Sequence, residues 1–280
     1  ETPRVSDPIV DPELESFAHT LADAAGVAAL RYFRAGFDVE LKADASPVTQ
    51  ADREAETAMR ALIAQTYPEH GIMGEEHGSE RLDADLVWVL DPIDGTRAFV
   101  NGIPLFATLI ALVRDGEPIL GMNAYPALGE RWLGIRGQPT RHWYGPNESG
   151  PVQVRACPSI SDVRLCTTSP DMFDAADAAR YANLKDAVRD TRFGTDAWAY
   201  AMVASGHTDM AAESNMQPYD YLSHAVIVTG AGGTITDWEG NPLGMESPGS
   251  VLASGDAAVH AAAAAGAGAT TQLTRRSPAP

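Results

Sequence analysis

The sequence predicts an α/β protein in two halves, an α+β first half and a second half in which strands and helices alternate. Three observations carry that reading. Apolar residues recur at helical spacing in two segments near the N-terminus, three apolar runs divided by short turn signals follow, and strand and helix patterns then alternate beyond a stretch rich in Gly, Pro, Asn and Ser at 145–158. That stretch marks the expected boundary between a first domain, 1–150, and a second, 151–267, with a tail at 268–280 whose composition predicts loose order.

The elements follow in order. Leu14, Phe17, Leu21, Ala24 and Val27 predict a helix over 13–33 with that face in the core. A polar stretch at 42–49 precedes a second helix over 51–66, where Ala55, Met59, Leu62 and Ile63 share a face and Asp52 stands at the start. Short strands are expected at 71–74, 86–90, 107–114, 118–125 and 131–136. Turn signals such as Asp115-Gly116 divide the last three, which suits an antiparallel meander. In the second half, strands are expected at 163–168, 191–194, 210–213, 234–238 and 251–254, and helices at 171–188, 197–205 and 219–229. Gly230 and Gly232-Gly233 end the last helix.

A chain of 280 residues buries a substantial core without staples. Its two cysteines, Cys157 and Cys166, lack a second pair or a His cluster, so both read as buried small hydrophobes rather than zinc ligands or a disulfide. No apolar run approaches the ~18 residues of a membrane span. The segment 1–13 is polar and acidic, unlike a signal peptide, so a cytoplasmic enzyme is expected. The formal net charge of −18, from 38 acidic and 20 basic residues, argues against nucleic acid and anionic membranes as partners. A phosphorylated substrate meets the same repulsion, which bound cations would offset.

The most informative stretch runs from Val87 to Thr96, where an apolar strand leads into Asp91-Pro92-Ile93-Asp94-Gly95-Thr96. Pro92 and Gly95 bend the backbone, so Asp94 can turn back toward Asp91 and the Ile93 carbonyl can join them. Three hard oxygens with no His or Cys nearby suit Mg2+ or Mn2+ better than zinc. Free N–H groups of a helix opening at Gly95 and Thr96 would hold a phosphate. An ordinary turn with a helix-capping Asp is the alternative for this string alone. Glu75, after a short strand, and Asp220, opening a helix, would each add a carboxylate; either alone also reads as a solvated charge or a cap.

Four separated motifs, Pro47-Val48-Thr49 with Ala51-Asp52, Gly74-Glu75-Glu76, the Asp91–Thr96 string, and Tyr219-Asp220 followed by Gly230-Ala231-Gly232-Gly233, together resemble the inositol monophosphatase family of magnesium-dependent, lithium-sensitive phosphatases. The resemblance spans roughly 42–233. It implies a five-layer α-β-α-β-α sandwich of the inositol monophosphatase and fructose-1,6-bisphosphatase type, a homodimer, and a small phosphorylated metabolite as substrate. It also implies two or three Mg2+ ions, with Mn2+ possible. Glu75, Asp91 and the Ile93 carbonyl would hold one ion, and Asp91, Asp94 and Asp220 a second, with Glu75 also reaching a third. Thr96, supported by Thr49 and Asp52, would orient and help deprotonate the attacking water, and the Gly95 and Thr96 amides would bind phosphate.

Two further runs, Pro126–Gly134 and Phe193–Tyr200, resemble the histidinol-phosphatase branch, as does an aromatic, Tyr219, before Asp220. The expected reaction is hydrolysis of L-histidinol phosphate, a step of histidine biosynthesis. Asp196 and Glu213 would pair with the substrate's ammonium group, and Gly194 would line the same subsite. A helix N-cap is the alternative for Asp196. The rivals are an inositol-1-monophosphatase or broad-specificity monophosphatase using the same metals, and a non-catalytic regulatory member of the family. The complete set of Thr49, Asp52, Glu75, Asp91, Asp94, Thr96 and Asp220 argues against the last. His70 and His77 read as structural, Trp88 and Trp132 as core, Arg97 as either phosphate-facing or solvated, and Trp198 as a possible stacking partner for an imidazole.

Overall fold

Helix α1 (Pro12–Tyr32) begins where the Asp11 carboxylate accepts the Glu13 N–H at 2.9 Å and Pro12 fills the first turn, where its missing N–H costs nothing. The protein is seen here as a computed structural model describing residues 10–35, 39–41, 47–175 and 177–266, with 39–41 and 47–49 described as backbone. The expected tail at 268–280 lies outside the described residues. In α1 the buried stripe runs through Leu14, Phe17, Ala18, Leu21, Ala22, Ala25, Ala28 and Ala29. Ala24 is half-buried and Val27 is 62% exposed, which corrects the expected face. At 3.6 residues per turn Val27 stands about 160° round the helix from Ala25. Small alanines rather than the larger Val27 make the contact because α1 lies close along α2 (Gln50–Thr66).

Strands β1 (Val39–Leu41) and β2 (Pro47–Thr49) form an antiparallel pair leading into α2. The large sheet contains β3 (Gly71–Gly74), β4 (Gly78–Glu80), β5 (Val87–Asp94), β6 (Ala107–Arg114), β7 (Glu117–Tyr125), β8 (Glu130–Ile135), β9 (Arg141–Tyr144) and β10 (Asn147–Pro151). Its order is β10-β9-β8-β7-β6-β5-β3-β4, antiparallel except for β3 against β5. The meander from β6 to β8 is as expected. Strands β4, β9 and β10 are additions: β4 and β10 are short, mostly exposed edge strands, and the short, mostly half-buried β9 joins β10 to β8. The small helix α3 (Thr96–Val100) follows β5.

The second sheet has the order β12-β11-β13-β15-β14, from β11 (Arg164–Thr167), β12 (Asp190–Phe193), β13 (Met210–Glu213), β14 (Thr234–Thr236) and β15 (Val251–Ser254). Its helices are α4 (Asp177–Ala187), α5 (Trp198–Ala204), α6 (Pro218–Gly230) and α7 (Ala257–Ala264). The single helix expected over 171–188 is instead a 3-10 turn at Pro170–Met172 and then α4, because Ser169 caps the Asp171 N–H and Asp174 caps Asp177. Helix α7 was not foreseen. Its run of alanines lacks a periodic contrast, and Asp256 caps it through the Ala258 N–H at 2.8 Å.

Alternation along the strands sorts these elements into five layers. Trp88, Leu90, Ile110, Leu112, Leu120 and Met122 face α1 and α2. Val87, Val89, Ala111 and Val113 face inward, with Ala199, Tyr200 and Val203 of α5 and Tyr221, Leu222 and Val228 of α6 between the sheets. Leu165, Met210, Ala212 and Leu252 turn outward onto Tyr181 and Leu184 of α4 and Val259 and Ala263 of α7. The order is thus α-β-α-β-α. Helix α6 lies so close to the large sheet that a Cβ at Gly121 would stand 2.2 Å from the Ser223 carbonyl oxygen, and one at Gly134 2.7 Å from the Val226 carbonyl carbon. Gly121 and Gly134 are paired across β7 and β8, so together they form a slot that seats the helix. Cys157 and Cys166 are buried and free, as expected. Among the described residues no helix is long and apolar enough to cross a membrane.

Candidate active site

Strand β5 carries Val87 and Val89 on its inner face, and Asp91 continues that series. In a regular strand Asp94, three residues on, would face the other way. The register against β6 shifts between them: Asp91 pairs with Leu109 and Asp94 with Ala107, so three steps on β5 match two on β6. This bulge returns Asp94 to the inner face. It also frees two carbonyls from the ladder. Thr108 Oγ1 donates to the Pro92 carbonyl at 2.9 Å, and Thr96 Oγ1 to the Ile93 carbonyl at 3.1 Å. Gly95 then turns the chain with φ of +76°, a conformation that a side chain would strain, and opens α3.

Asp220 arrives from the other half of the chain at the third position of α6, after Gln217 and Pro218. Its Oδ2 accepts the Gln217 N–H at 2.7 Å, so the aspartate caps its own helix. Asp91 Oδ1 likewise accepts the Ile93 N–H at 3.0 Å, and Asp94 Oδ2 the Ala197 N–H at 2.9 Å. One oxygen of each carboxylate is thus held by backbone, which fixes its rotation. Asp91, Asp94 and Asp220 each present an oxygen within 4.8 Å of the other two.

Glu75 follows β3, its N–H bonded to the Leu90 carbonyl at 3.2 Å, and its carboxyl group bonds to that of Asp91. Burial, then the charges of Glu75, Asp94 and Asp220, push the Asp91 carboxyl well above the usual carboxylate range. Burial and the charges of Asp196 and Asp220 do the same to Asp94. Carboxylates that repel one another in a site mostly shielded from water are stable together once a cation neutralises them. Oxygen-only donors with no His or Cys fit a hard divalent ion such as Mg2+. The residues present therefore suit the expected metals.

Asp52 is buried in the first turn of α2, and its neighbour Ala51 packs with Ile93 and Phe99, which sets that turn beside the bulge. Strand β2, ending at Thr49, lies against α3, the helix opened by Thr96; the Thr49 side chain is outside the described residues. Asp196 has φ of +44°, and its side chain lies against Gly95, where an added Cβ would stand 3.4 Å from it. Helix α5 starts at Trp198 with no side-chain cap, so the N-cap alternative for Asp196 does not hold. Burial, eased by the charge of Arg97, pushes its carboxyl up to about 6. Arg97 itself is exposed.

Glu213 ends β13 and is 2% exposed. Its Oε1 accepts the Thr168 N–H at 2.9 Å and its Oε2 the Tyr200 hydroxyl at 2.9 Å. Burial pushes its carboxyl up to about 7, against those hydrogen bonds and helped by the Asp196 charge. Gly194 is exposed at φ of +70°, its N–H on the Thr168 carbonyl at 2.9 Å. Trp198 packs edge-on against Tyr125 and Trp132, so its rings belong to an aromatic cluster. His70 accepts from Trp88 Nε1 at 3.1 Å and His77 packs onto Thr57 and Arg53 of α2, both structural roles. Thr108, Ala197, Thr168 and Tyr200, which hold the site's acids and carbonyls, were not foreseen. Only Ala197 and Tyr200, which lie in the quoted run Phe193–Tyr200, gave any signal. Surface cavities of about 640 and 970 Å3 are lined by none of the predicted site residues.

The chain is 44% identical over 262 residues to the bifunctional phosphatase IMPL2, chloroplastic, of Arabidopsis thaliana, covering 89% of this chain and 74% of that protein. It is 36% identical over 233 residues to the histidinol-phosphatase of Streptomyces coelicolor, covering 80% and 86%. A solved inositol monophosphatase from Zymomonas mobilis superposes with a TM-score of 0.82 at 41% identity, covering 92% of this chain and 99% of that one. The family model for inositol monophosphatases matches residues 11–272, spanning the bulged strand, Glu75 and the cap of α6 alike, and the chain belongs to the inositol monophosphatase family of phosphatases.

Proposed function

We propose that this phosphatase is magnesium-dependent and hydrolyses L-histidinol phosphate to L-histidinol and phosphate. The observation that carries the substrate is Asp196: a carboxylate released from helix capping, set beside Gly95 and facing the acidic cluster, suits a substrate with an ammonium group. At pH 7 to 8 it is ionised, given its shift to about 6. Glu213, held by Thr168 and Tyr200, offers a second acceptor, and Gly194 leaves room beside them.

The cluster's own residues set the chemistry. Glu75, Asp91 and the Ile93 carbonyl would hold one Mg2+, Asp91, Asp94 and Asp220 a second, and Glu75 would reach a third; Mn2+ suits the same donors. Such ions, when bound, lower the pKa of the attacking water and stabilise the leaving alkoxide. Thr96 Oγ1 donates to the Ile93 carbonyl and keeps lone pairs to accept from that water, whose proton would go to the Asp52 carboxylate, with Thr49 in the supporting role that the resemblance implies. The water oxygen bonds to phosphorus as one of its protons would pass to Asp52, the phosphorus–alkoxide bond breaks, and the alkoxide takes a proton from solvent that balances the one given up. The first amides of α3, from Gly95 and Thr96, have no partner within the helix and suit the phosphate oxygens.

The test is kcat/KM for histidinol phosphate and inositol 1-phosphate, side by side in millimolar Mg2+ with an EDTA control. A preference for histidinol phosphate of ~100-fold, worth ~2.7 kcal/mol in the transition state, is expected and would place the enzyme in histidine biosynthesis. Comparable or reversed values overturn the substrate. They would favour an inositol-1-monophosphatase, the reading that the likeness to the Zymomonas mobilis protein supports.

A further inference from the structure

Glu75 sits at the tip of the hairpin between β3 and β4, and that tip is fastened to α2 by two side chains outside the site. Glu56 is fully buried, a costly place for a carboxylate unless its oxygens are paired. They are. Oε2 accepts the Glu76 N–H at 2.6 Å, and Oε1 accepts the His77 N–H at 3.2 Å and the Arg60 Nε–H at 2.7 Å. Arg60 spans to the far strand of the hairpin, donating to the Gly78 carbonyl and, from Nη1 at 2.9 Å, to Glu80. Apart from the bond that joins Glu56 to Arg60, every one lands on the residues that follow Glu75.

Gly74 shows how closely the parts are fitted. A Cβ there would stand 2.0 Å from Glu56 Oε1 and 2.9 Å from Arg60 Nη2, so a glycine at this position is what admits the pair. Asp52, Glu56 and Arg60 lie at i, i+4 and i+8, on one face of α2. The same helix therefore carries Asp52 at its first turn and grips the Glu75 hairpin one and two turns further on.

We propose that the Glu56–Arg60 pair is a positioning device that fixes Glu75 against Asp91 and so sets the affinity of the cation site to which Glu75 contributes. This rests on the metal-dependent reading above. Glu56 touches neither substrate nor metal; it acts through the backbone of residues 76 and 77. A carboxylate accepts from all three donors at once, whereas a carboxamide turns an N–H toward at least one of them.

The test is Glu56→Gln, with Mn2+ binding measured directly by electron paramagnetic resonance or calorimetry, the Mg2+ midpoint of activity, and the melting temperature in EDTA. Loss of an outer partner of a ligand typically weakens metal affinity roughly 10–100-fold. The expected result is a loss of that order in Mn2+ affinity, a parallel rise in the Mg2+ midpoint, and recovery of most of kcat at saturating Mg2+. Arg60→Lys, which keeps the charge but gives up the bond from Nε, should move the same quantities less, and it serves as the test if Glu56→Gln does not fold. A lowered melting temperature with unchanged Mn2+ affinity would overturn the inference. Wild-type activity that survives EDTA would overturn the metal-dependent reading itself.

Discussion

Replacing Asp196 by Asn should make the metal-free protein more stable at alkaline pH while weakening its grip on a cationic substrate. The Asp196 carboxyl rises from the ordinary 3.8 to about 6, first because of burial. A group that holds its proton more tightly when folded favours the folded state at low pH. As pH climbs through the ordinary value the unfolded chain ionises first, so stability falls until the folded group has also ionised, above about pH 6. The full difference is worth about 3 kcal/mol, and the partly exposed position screens this to ~1–2 kcal/mol. Asn carries no such penalty. Urea denaturation in EDTA should therefore show Asp196→Asn matching wild type near pH 4 and exceeding it by ~1–2 kcal/mol at pH 8. Asp94 and Glu213 face Asp196 and are themselves raised by its charge, so its removal relieves them too and adds to the gain at pH 8 in the same direction. In Mg2+, the loss of a charge-assisted hydrogen bond worth ~1.5–3 kcal/mol should cut kcat/KM for histidinol phosphate ~10–100-fold and leave inositol 1-phosphate within a few-fold. A variant less stable than wild type at pH 8, or one that loses both substrates equally, would refute the reasoning.

Three other expectations follow from the site and its seat. Asp91→Asn should lower phosphatase activity by at least ~10²-fold yet raise the denaturation midpoint in EDTA at pH 8, because one member of a mutually repelling set is gone; a lower midpoint would contradict the repulsion. Mg2+ at 100 times its dissociation constant should stabilise wild type by ~2.7 kcal/mol, with less gained at pH 5 than at pH 8. Asp91 and Asp94 hold their protons above the usual range and compete with the ion as pH falls, and melting curves at both values would show it. Gly121→Ala should destabilise by ~1–3 kcal/mol or more and also weaken Mg2+ binding, since lifting α6 off its slot moves Asp220; thermal melts with a Mg2+ titration separate the two effects.

Much of the fold could be read from the chain because its signals are local and strong. The runs at 107–114 and 210–213 match β6 and β13 to the residue: Asp209 and Ser214 bound the second on both sides, and the Asp115-Gly116 turn ends the first. What stayed hidden has physical causes. Val27 looked like core by spacing from Leu14, but beyond Leu21 the stripe that packs is made of small residues, Ala22, Ala25, Ala28 and Ala29 among them, and hydrophobic size is a poor guide where two helices lie close. Strands β9 and β10 gain their place by continuing a sheet edge, a tertiary effect with little signature in Arg141–Tyr144 or Asn147–Pro151. At the site, Asp91 and Asp94 were legible because carboxylates beside Pro and Gly are unusual company for an apolar strand, whereas Asp220, in the first turn of a helix, was legible through the family resemblance. Glu56 and Arg60 were not. A Glu and an Arg four apart on a helix usually describe a solvated pair, and only the burial of Glu56 and the closeness of Gly74 distinguish this one.

The three clustered carboxylates also bear on the order in which the molecule assembles. Asp91 and Asp94 belong to a strand that pairs with its neighbour across a short connection, whereas Asp220 comes from the opposite half of the chain and reaches them only when α6 docks. Docking brings like charges together at the helix's first turn while its middle gains the slot at Gly121 and Gly134. In a metal-free chain α6 is thus held at its centre and pushed at its tip. Amide exchange should be faster near Tyr219 than near Val226, and a divalent cation should close that gap by turning the last contact of folding into one of the firmest.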